Sequence, residues 1–299
     1  MAAIGAACSR ETGPDTPPSP SASSATPSLP QRDFTAPGEA TAVVKELVAA
    51  AGTIHAIKVE ITRRQASLSV VSGMRATTWA WRDGRVAVVD SDTEYVGQAI
   101  FDPRDFNVAD LAGMFAVAET AARSSAGQML QIVEYADRAV YMTVTTNPES
   151  QTVFFTRDGA VVPQVDVSTV AGLTAALGEV IGTKSTVLAL GVLPNQGGVW
   201  VDTSGGDTLV RTLRRSRFPV RLATRRESST LLPFDPRVVA PSVVLATLER
   251  LSARLKGTPG PGWGVTVDAR DASGEPRMYW SLGNQQAVTT LTGVNITPR

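Results

Sequence analysis

One cysteine, one histidine and four lysines are all that the 299 residues offer of those types. A lone Cys8 excludes a disulfide within the chain and a cluster of thiolate metal ligands. A lone His55 excludes any site that needs two imidazoles. Net charge is absent too, since 28 basic residues balance 28 acidic ones. Bulk electrostatic attraction to nucleic acid therefore has no source, and no nucleic-acid partner is expected. No run of about 18 apolar residues occurs, so no segment reads as a membrane-spanning helix. A P-loop, a Rossmann glycine fingerprint, a nucleophile elbow and a metalloprotease helix are all missing from the sequence. The expectation is a chain with no catalytic residues, no metal and no cofactor.

What is present suits a folded protein. Hydrophobic residues make up 43% and charged ones 19%, enough for a buried core. The length suits about two domains. Among the 28 basic residues 24 are arginine, a bias that fits a GC-rich genome and carries no chemistry by itself.

The N-terminus is different in kind. Residues 1–8 read MAAIGAAC, with small residues leading into Cys8. A stretch rich in Pro, Ser and Thr follows, TGPDTPPSPSASSATPSLPQ, with almost no large apolar residue. Such a segment buries too little surface to offset its ordering entropy, so residues 1–37 read as a disordered tether. This start resembles that of a mature bacterial lipoprotein, of the surface type found in actinobacteria. The resemblance implies that Cys8 is acylated and that the protein sits on the extracytoplasmic face of the cell membrane. Gly5 stands three before the cysteine, where the family usually has Leu. No charged or apolar leader precedes it, and a start codon further upstream is the expectation. Two or three acyl chains on Cys8 would anchor the protein, since each buried methylene contributes about 0.8 kcal/mol.

The remainder shows internal echoes. A helix is expected over 38–51, with Val43, Val44, Leu47 and Val48 on one face and Gly52 as its stop. TTWAWRDG at 77–84 aligns with TVFFTRDG at 152–159, and Asp-Gly between β-rich runs signals a hairpin. VADLAGMFA at 108–116 parallels VSTVAGLTA at 167–175, with Asn107 and Asp166 as expected N-caps. Phe101-Asp102-Pro103-Arg104 is repeated as Phe234-Asp235-Pro236-Arg237, each before a helical run, the second at 243–257. These echoes predict an α+β fold of tandem repeats, each an antiparallel sheet plus helix, forming two related domains. The first domain is placed at 38–183, with units 53–123 and 128–182; the second is placed at 184–299, its last unit lacking a helix. The topology is similar to PepSY-like and β-lactamase-inhibitor-like periplasmic modules. No signature motif of either is present, and fold alone does not confer function.

Candidate sites are few. His55 opens a strand-like run with no nucleophile or acid beside it, so it reads as a strand-edge residue. Asp90, Asp92 and Glu94 begin like a calcium loop, but Tyr95 and Phe101 occupy its required Gly and Glu positions. Phe101 and Phe234 read as core plugs at a chain corner, with Asp102 and Asp235 making turns. The aromatics Trp79, Trp81, Trp200, Trp263, Tyr279 and Trp280 fall on strands and read chiefly as core. The strongest charge signal is RTLRRSRFPVRLATRR at 211–226, seven arginines and no acid. Arg211, Arg214, Arg215, Arg217 and Arg221 are the candidate contacts for an anionic surface. As a strand, Arg211, Arg215, Arg217 and Arg221 share one parity; as a helix, Arg211, Arg214 and Arg215 share a stripe. The other reading is a solvated face matched by acids elsewhere in the fold. The functional expectation is a non-enzymatic surface lipoprotein that binds a protein or an anionic envelope polymer. A carrier or sensor of a small apolar ligand is the alternative. An apolar cavity above about 300 Å³ favours the carrier, whereas a filled core with an exposed groove favours the binder.

Overall fold

The computed structural model describes residues 32–147, 151–194, 198–254 and 262–297. Residues 1–31, with Cys8 and most of the expected tether, lie outside the described residues. The expected tether end at residue 37 is too late, because Phe34 is 0% exposed in the first core, edge-on to Trp81 at 5.1 Å. Helix α1 spans Glu39–Ala51 and buries Val43, Val44 and Leu47, three or four residues apart on one face. Gly52 ends it in the left-handed region at φ 67°, where its N–H donates to Val48 C=O. Four strands follow: β1 (Ala56–Ile61), β2 (Ala66–Ser72), β3 (Arg75–Arg82) and β4 (Arg85–Val89). Between β3 and β4, Asp83 and Gly84 both adopt positive φ, 51° and 79°, as the tight two-residue hairpin turn demands. Then come α2 (Leu111–Ala122), β5 (Met129–Ala136), β6 (Ala139–Thr145) and β7 (Val153–Phe155).

The same order recurs. Helix α3 (Val170–Ile181) precedes β8 (Ala189–Leu193), β9 (Gly198–Ser204), β10 (Leu209–Arg215) and β11 (Arg221–Arg225). Helix α4 (Pro241–Arg254) precedes β12 (Trp263–Asp268), β13 (Arg277–Leu282) and β14 (Gln285–Thr289). Each half builds one seven-stranded antiparallel sheet, ordered β4-β3-β2-β1-β5-β6-β7 and β11-β10-β9-β8-β12-β13-β14. The protein is thus a tandem α+β fold of two related domains.

Strand alternation sorts each sheet into a helix-covered inner face and an outer face. In the first, Val59, Ile61, Leu68, Val70, Leu130, Ile132, Met142 and Val144 form one core with the helix residues Leu47, Leu111 and Phe115. In the second, Leu190, Val192, Val199, Val201, Val265, Val267 and Trp280 join Leu173, Val180, Val244 and Leu248. Trp280 settles its one polar atom by donating to Thr289 Oγ1 at 3.0 Å. The repeated Phe-Asp-Pro-Arg sits at equivalent corners. Phe101 exchanges backbone hydrogen bonds with Ala56 at 2.9 and 3.0 Å, and Phe234 does so with Val187 at 2.9 Å both ways. Both rings are 7% exposed. Asp102 and Asp235 each accept from the backbone N–H two residues on, at 3.0 and 2.9 Å.

Two expectations need correction. The helix at 170–181 does not close the first domain. Leu173, Ala176, Leu177 and Val180 belong to the second core, and α3 packs on β9 and β10. Hence the boundary near 183 moves back to the connection between Val161, which bridges Phe155, and Val165, which lies in the second core. The repeating unit has the helix in front, so the units 53–123 and 128–182 are cut out of phase. The last unit has its helix after all: it is α4, and α1 leads the first. The caps are also displaced. Asp110 and Thr169 cap the helices, accepting from Gly113 and Gly172 N–H at 2.9 and 3.1 Å. Asn107 and Asp166 lie three residues upstream, where their side chains accept from the N–H of Ala109 and Ser168 in local turns.

Candidate functional site

Strand pairing decides what the arginine stretch does. β10 runs against β9 with Leu213 opposite Trp200 and Arg211 opposite Asp202. It runs against β11 with Leu213 opposite Arg221 and Leu209 opposite Arg225. Directly paired residues share a face, so Arg211, Arg215, Arg221 and Arg225 all stand on the outer face of this sheet edge. Arg214 stands on the other face, opposite Val199 of the core.

Arg214 is therefore not a surface contact, and this part of the sequence reading is overturned. Its side chain is 0% exposed. The Nε–H donates to Glu179 of α3 at 2.6 Å, and Nη2 donates to Pro163 C=O at 2.6 Å. Nη1 donates to the carbonyls of Arg215, Ser216 and Phe218. One guanidinium thus holds the β10–β11 turn, the interdomain connection and α3 together. A buried charge needs this degree of pairing, because an uncompensated ion costs several kcal/mol.

The same turn reaches the first domain. Phe218 packs edge-on against Phe154 at 5.7 Å between centroids. Phe154 itself lies against Tyr135 at 4.9 Å and Tyr141 at 6.3 Å on the outer face of the first sheet. Asp137 at the β5–β6 turn accepts from Leu222 N–H at 2.9 Å, and Ser216 C=O accepts from Val165 N–H at 2.8 Å. Burial pushes the Tyr141 hydroxyl up from its ordinary value, with the Glu179 carboxylate adding to the effect. The stretch predicted to meet a partner is thus in large part the joint between the two domains.

Arg211 is also committed. It makes a two-pronged pair with Asp202 at 2.8 Å for both contacts and stacks 3.7 Å over the Trp200 ring. Trp200 lies flat on Gly191, where an added Cβ would meet the indole at 2.2 Å. Across the same face Arg270 pairs with Asp268 and stacks 4.0 Å over Tyr279. Both carboxylates are buried, with side chains 7% and 3% exposed. Arg215, Arg217 and Arg226 are exposed and make no ion pair among the described residues. Arg221 is half-buried, and its Nε finds no partner there.

Trp200 and Tyr279, read as core, lie instead on the outer face beneath Arg211 and Arg270. His55 is exposed at a strand start, and its N–H donates to Thr53 Oγ1 at 3.2 Å. Asp90, Asp92 and Glu94 are exposed in an irregular connection, and no group of three metal-binding side chains forms among the described residues. Trp79 and Trp81 both face the first core, and Trp263 and Trp280 the second.

Sequence reasoning passed over one concavity. An open groove of about 730 Å³ runs between the β1–β2 turn and α2. Arg63 and Arg64 form one wall, Glu119 and Ala116 the other, and Phe115 and Met129 line it between them. Arg63 is positioned by Asp33, whose carboxylate accepts from it at 2.9 Å. That bond, with further ones from Thr35, holds the Asp33 carboxyl down at about 2. Only the Thr-Arg-Arg turn hinted at this place, and the sequence does not reveal that α2 lies opposite it.

No family model and no curated protein matches this chain. Among solved structures, a DNA polymerase sliding clamp from Pseudomonas aeruginosa is 12% identical, with a TM-score of 0.14. The alignment covers 87% of this chain and 63% of that one. A Helicobacter pylori beta clamp bound to a DNA ligase peptide is 9% identical, covering 88% and 65%, with a TM-score of 0.15. A DNA polymerase III beta subunit from Thermotoga maritima is 11% identical, covering 82% and 57%, with a TM-score of 0.14. The chain therefore spans less than two-thirds of the length of each. Likeness at this level carries no argument about function.

Proposed function

We propose that this protein is a non-enzymatic binding module, anchored through an acylated Cys8 to the extracytoplasmic face of the cell membrane. Its partner is a protein or an anionic envelope component. The observation that carries the reading is how the polar groups are used. The buried acids Asp202 and Asp268 each serve an arginine stacked on an aromatic ring, and Glu179 serves the buried Arg214. Those carboxylates are spent on structure. The helix-covered faces of both sheets are filled by their own side chains, among them Leu47, Phe155 and Trp280 at 2% exposure or less. Open surface is offered instead at the α2 groove and at the outer arginines. This combination favours recognition of a large partner over enclosure of a small apolar ligand. No helix among the described residues is long and apolar enough to cross a membrane, so attachment in this reading depends on Cys8.

The test is expression in a bacterial host with the upstream codons restored, followed by mass spectrometry of the mature N-terminus. Acylated Cys8 is expected, and an unmodified cysteine overturns the anchor. In parallel, an environment-sensitive apolar dye should show no saturable binding. Saturable uptake would favour the carrier.

A further inference from the structure

We propose that the outer face of the β10–β11 edge is an electrostatic docking surface for an anionic phospholipid bilayer. This rests on the membrane-tethered reading above and names the surface that would face the lipid. The strand register brings Arg211, Arg215, Arg221 and Arg225 to one face of one sheet edge. Arg217 follows in the adjoining turn and Arg226 just beyond the strand. Against these six guanidiniums stand three carboxylates: Asp202, Glu227 and Asp137 of the first domain, the last bound to Leu222 N–H. Asp202 is consumed by Arg211, with a longer 3.5 Å contact to Arg225. Arg215, Arg217 and Arg226 stay exposed and unpaired among the described residues. Guanidinium donors in this state match phosphate oxygens, which take two N–H groups side by side.

A second observation concerns the whole chain. The neutral total hides a division between the domains. Residues 32–162 carry 12 basic and 16 acidic residues, whereas residues 163–299 carry 15 basic and 10 acidic. The first domain is thus net −4 and the second net +5. Over an anionic surface such a molecule turns its second domain inward and its first outward. The joint strengthens the effect, because Arg214 and Phe218 hold the basic turn fixed against the connection and the first domain. A fixed array of charges loses less entropy on docking than a flexible tail does.

The experiment uses the full chain with Cys8→Ser, so that no acyl chain contributes, and sedimentation with phosphatidylglycerol/phosphatidylcholine or pure phosphatidylcholine vesicles. Binding to the anionic vesicles is expected, weakening as salt rises from 20 to 500 mM as the screening length shortens. The triple variant Arg215→Glu, Arg217→Glu, Arg226→Glu should bind at least on the order of 100-fold more weakly, at about fivefold per arginine lost, with the three added carboxylates weakening it further. The triple variant Arg75→Glu, Arg82→Glu, Arg85→Glu applies the same charge change to the first domain and should bind nearly as wild type. Circular dichroism and thermal melting confirm that both variants are folded. Equal binding to neutral vesicles, an equal loss in the first-domain variant, or binding to soluble polyphosphate but not to vesicles would overturn the proposal. Because the acyl chain is removed, failure here leaves the Cys8 anchor standing, and an unacylated Cys8 leaves this surface standing.

Discussion

Arg214 separates two kinds of arginine in one stretch. It has 0% side-chain exposure and donates to a carboxylate and several backbone carbonyls. Replacing it with Met keeps the bulk but strands Glu179 and the carbonyls of Pro163 and Phe218. The expected loss is about 3–5 kcal/mol, the usual cost of breaking a buried pair from one side. Arg215→Ala, the next residue along β10 but exposed on the opposite face, should change stability by less than about 0.5 kcal/mol. Urea unfolding of the two variants checks both values, and equal midpoints would show that Arg214 is not a structural residue. Asp33 supplies a pH dependence. Its carboxyl is held down at about 2, first by the Arg63 side chain and then by Thr35. A lowered value in the folded state adds stability that is present above the ordinary carboxylate range near 3.9 and lost as pH falls through about 2. The pair is largely solvent-screened, so the effect should be small. Thermal melts at pH 5 and pH 2 should differ more in the wild type than in Asp33→Asn. An identical pH response would remove Asp33 from the account.

At the scale of elements, the phase of the repeat has a direct consequence. Helix α3 lends Leu173, Leu177 and Val180 to the second core, although it follows the first sheet in sequence. A fragment of residues 163–299 should therefore fold cooperatively, while one of 184–299 should not, because it leaves the inner face of β9 and β10 bare. Circular dichroism and urea titration decide the matter; a cooperative transition in the shorter fragment would restore the boundary near residue 183. Much of this level was legible beforehand. Helix α1, the paired hairpins and the two Phe-Asp-Pro-Arg corners follow from local rules, since turn residues and helix periodicity act over a few positions. The helix-first phase was not legible. A repeating string can be cut at any point in its period, and only packing shows which helix covers which strands.

For the whole molecule, the joint fixes how the two domains move together. Phe218 sits against Phe154, Asp137 receives Leu222 N–H, and Arg214 holds Pro163 C=O. Phe218→Ala removes the aromatic contact across the joint without touching either core. Small-angle scattering should show a broader distribution of domain separations, and proteolysis within residues 156–165 should quicken. Unchanged scattering and cleavage would mean that the polar contacts suffice. The candidate site belongs to this scale as well. Parity read from residue numbers placed Arg211, Arg215 and Arg221 on one face, but Arg217 falls in the turn between the strands and Arg225 completes the face instead. Which of them are neutralised is not readable, because Asp202 lies on β9 and Glu179 on α3.

The sequence by itself determined the α+β class, the duplication, the hairpin turns and the corner motif. Each of these depends on neighbours within a few residues, where backbone geometry and hydrophobic period act directly. Only the tertiary structure decided the boundary between the domains, the burial of Arg214 and the groove beside α2. Glu179 and Arg214 are 35 residues apart, and Pro163 is 51 from Arg214. Which charges are buried and paired, and which remain in water, depends on how distant segments pack, and no local pattern carries that information.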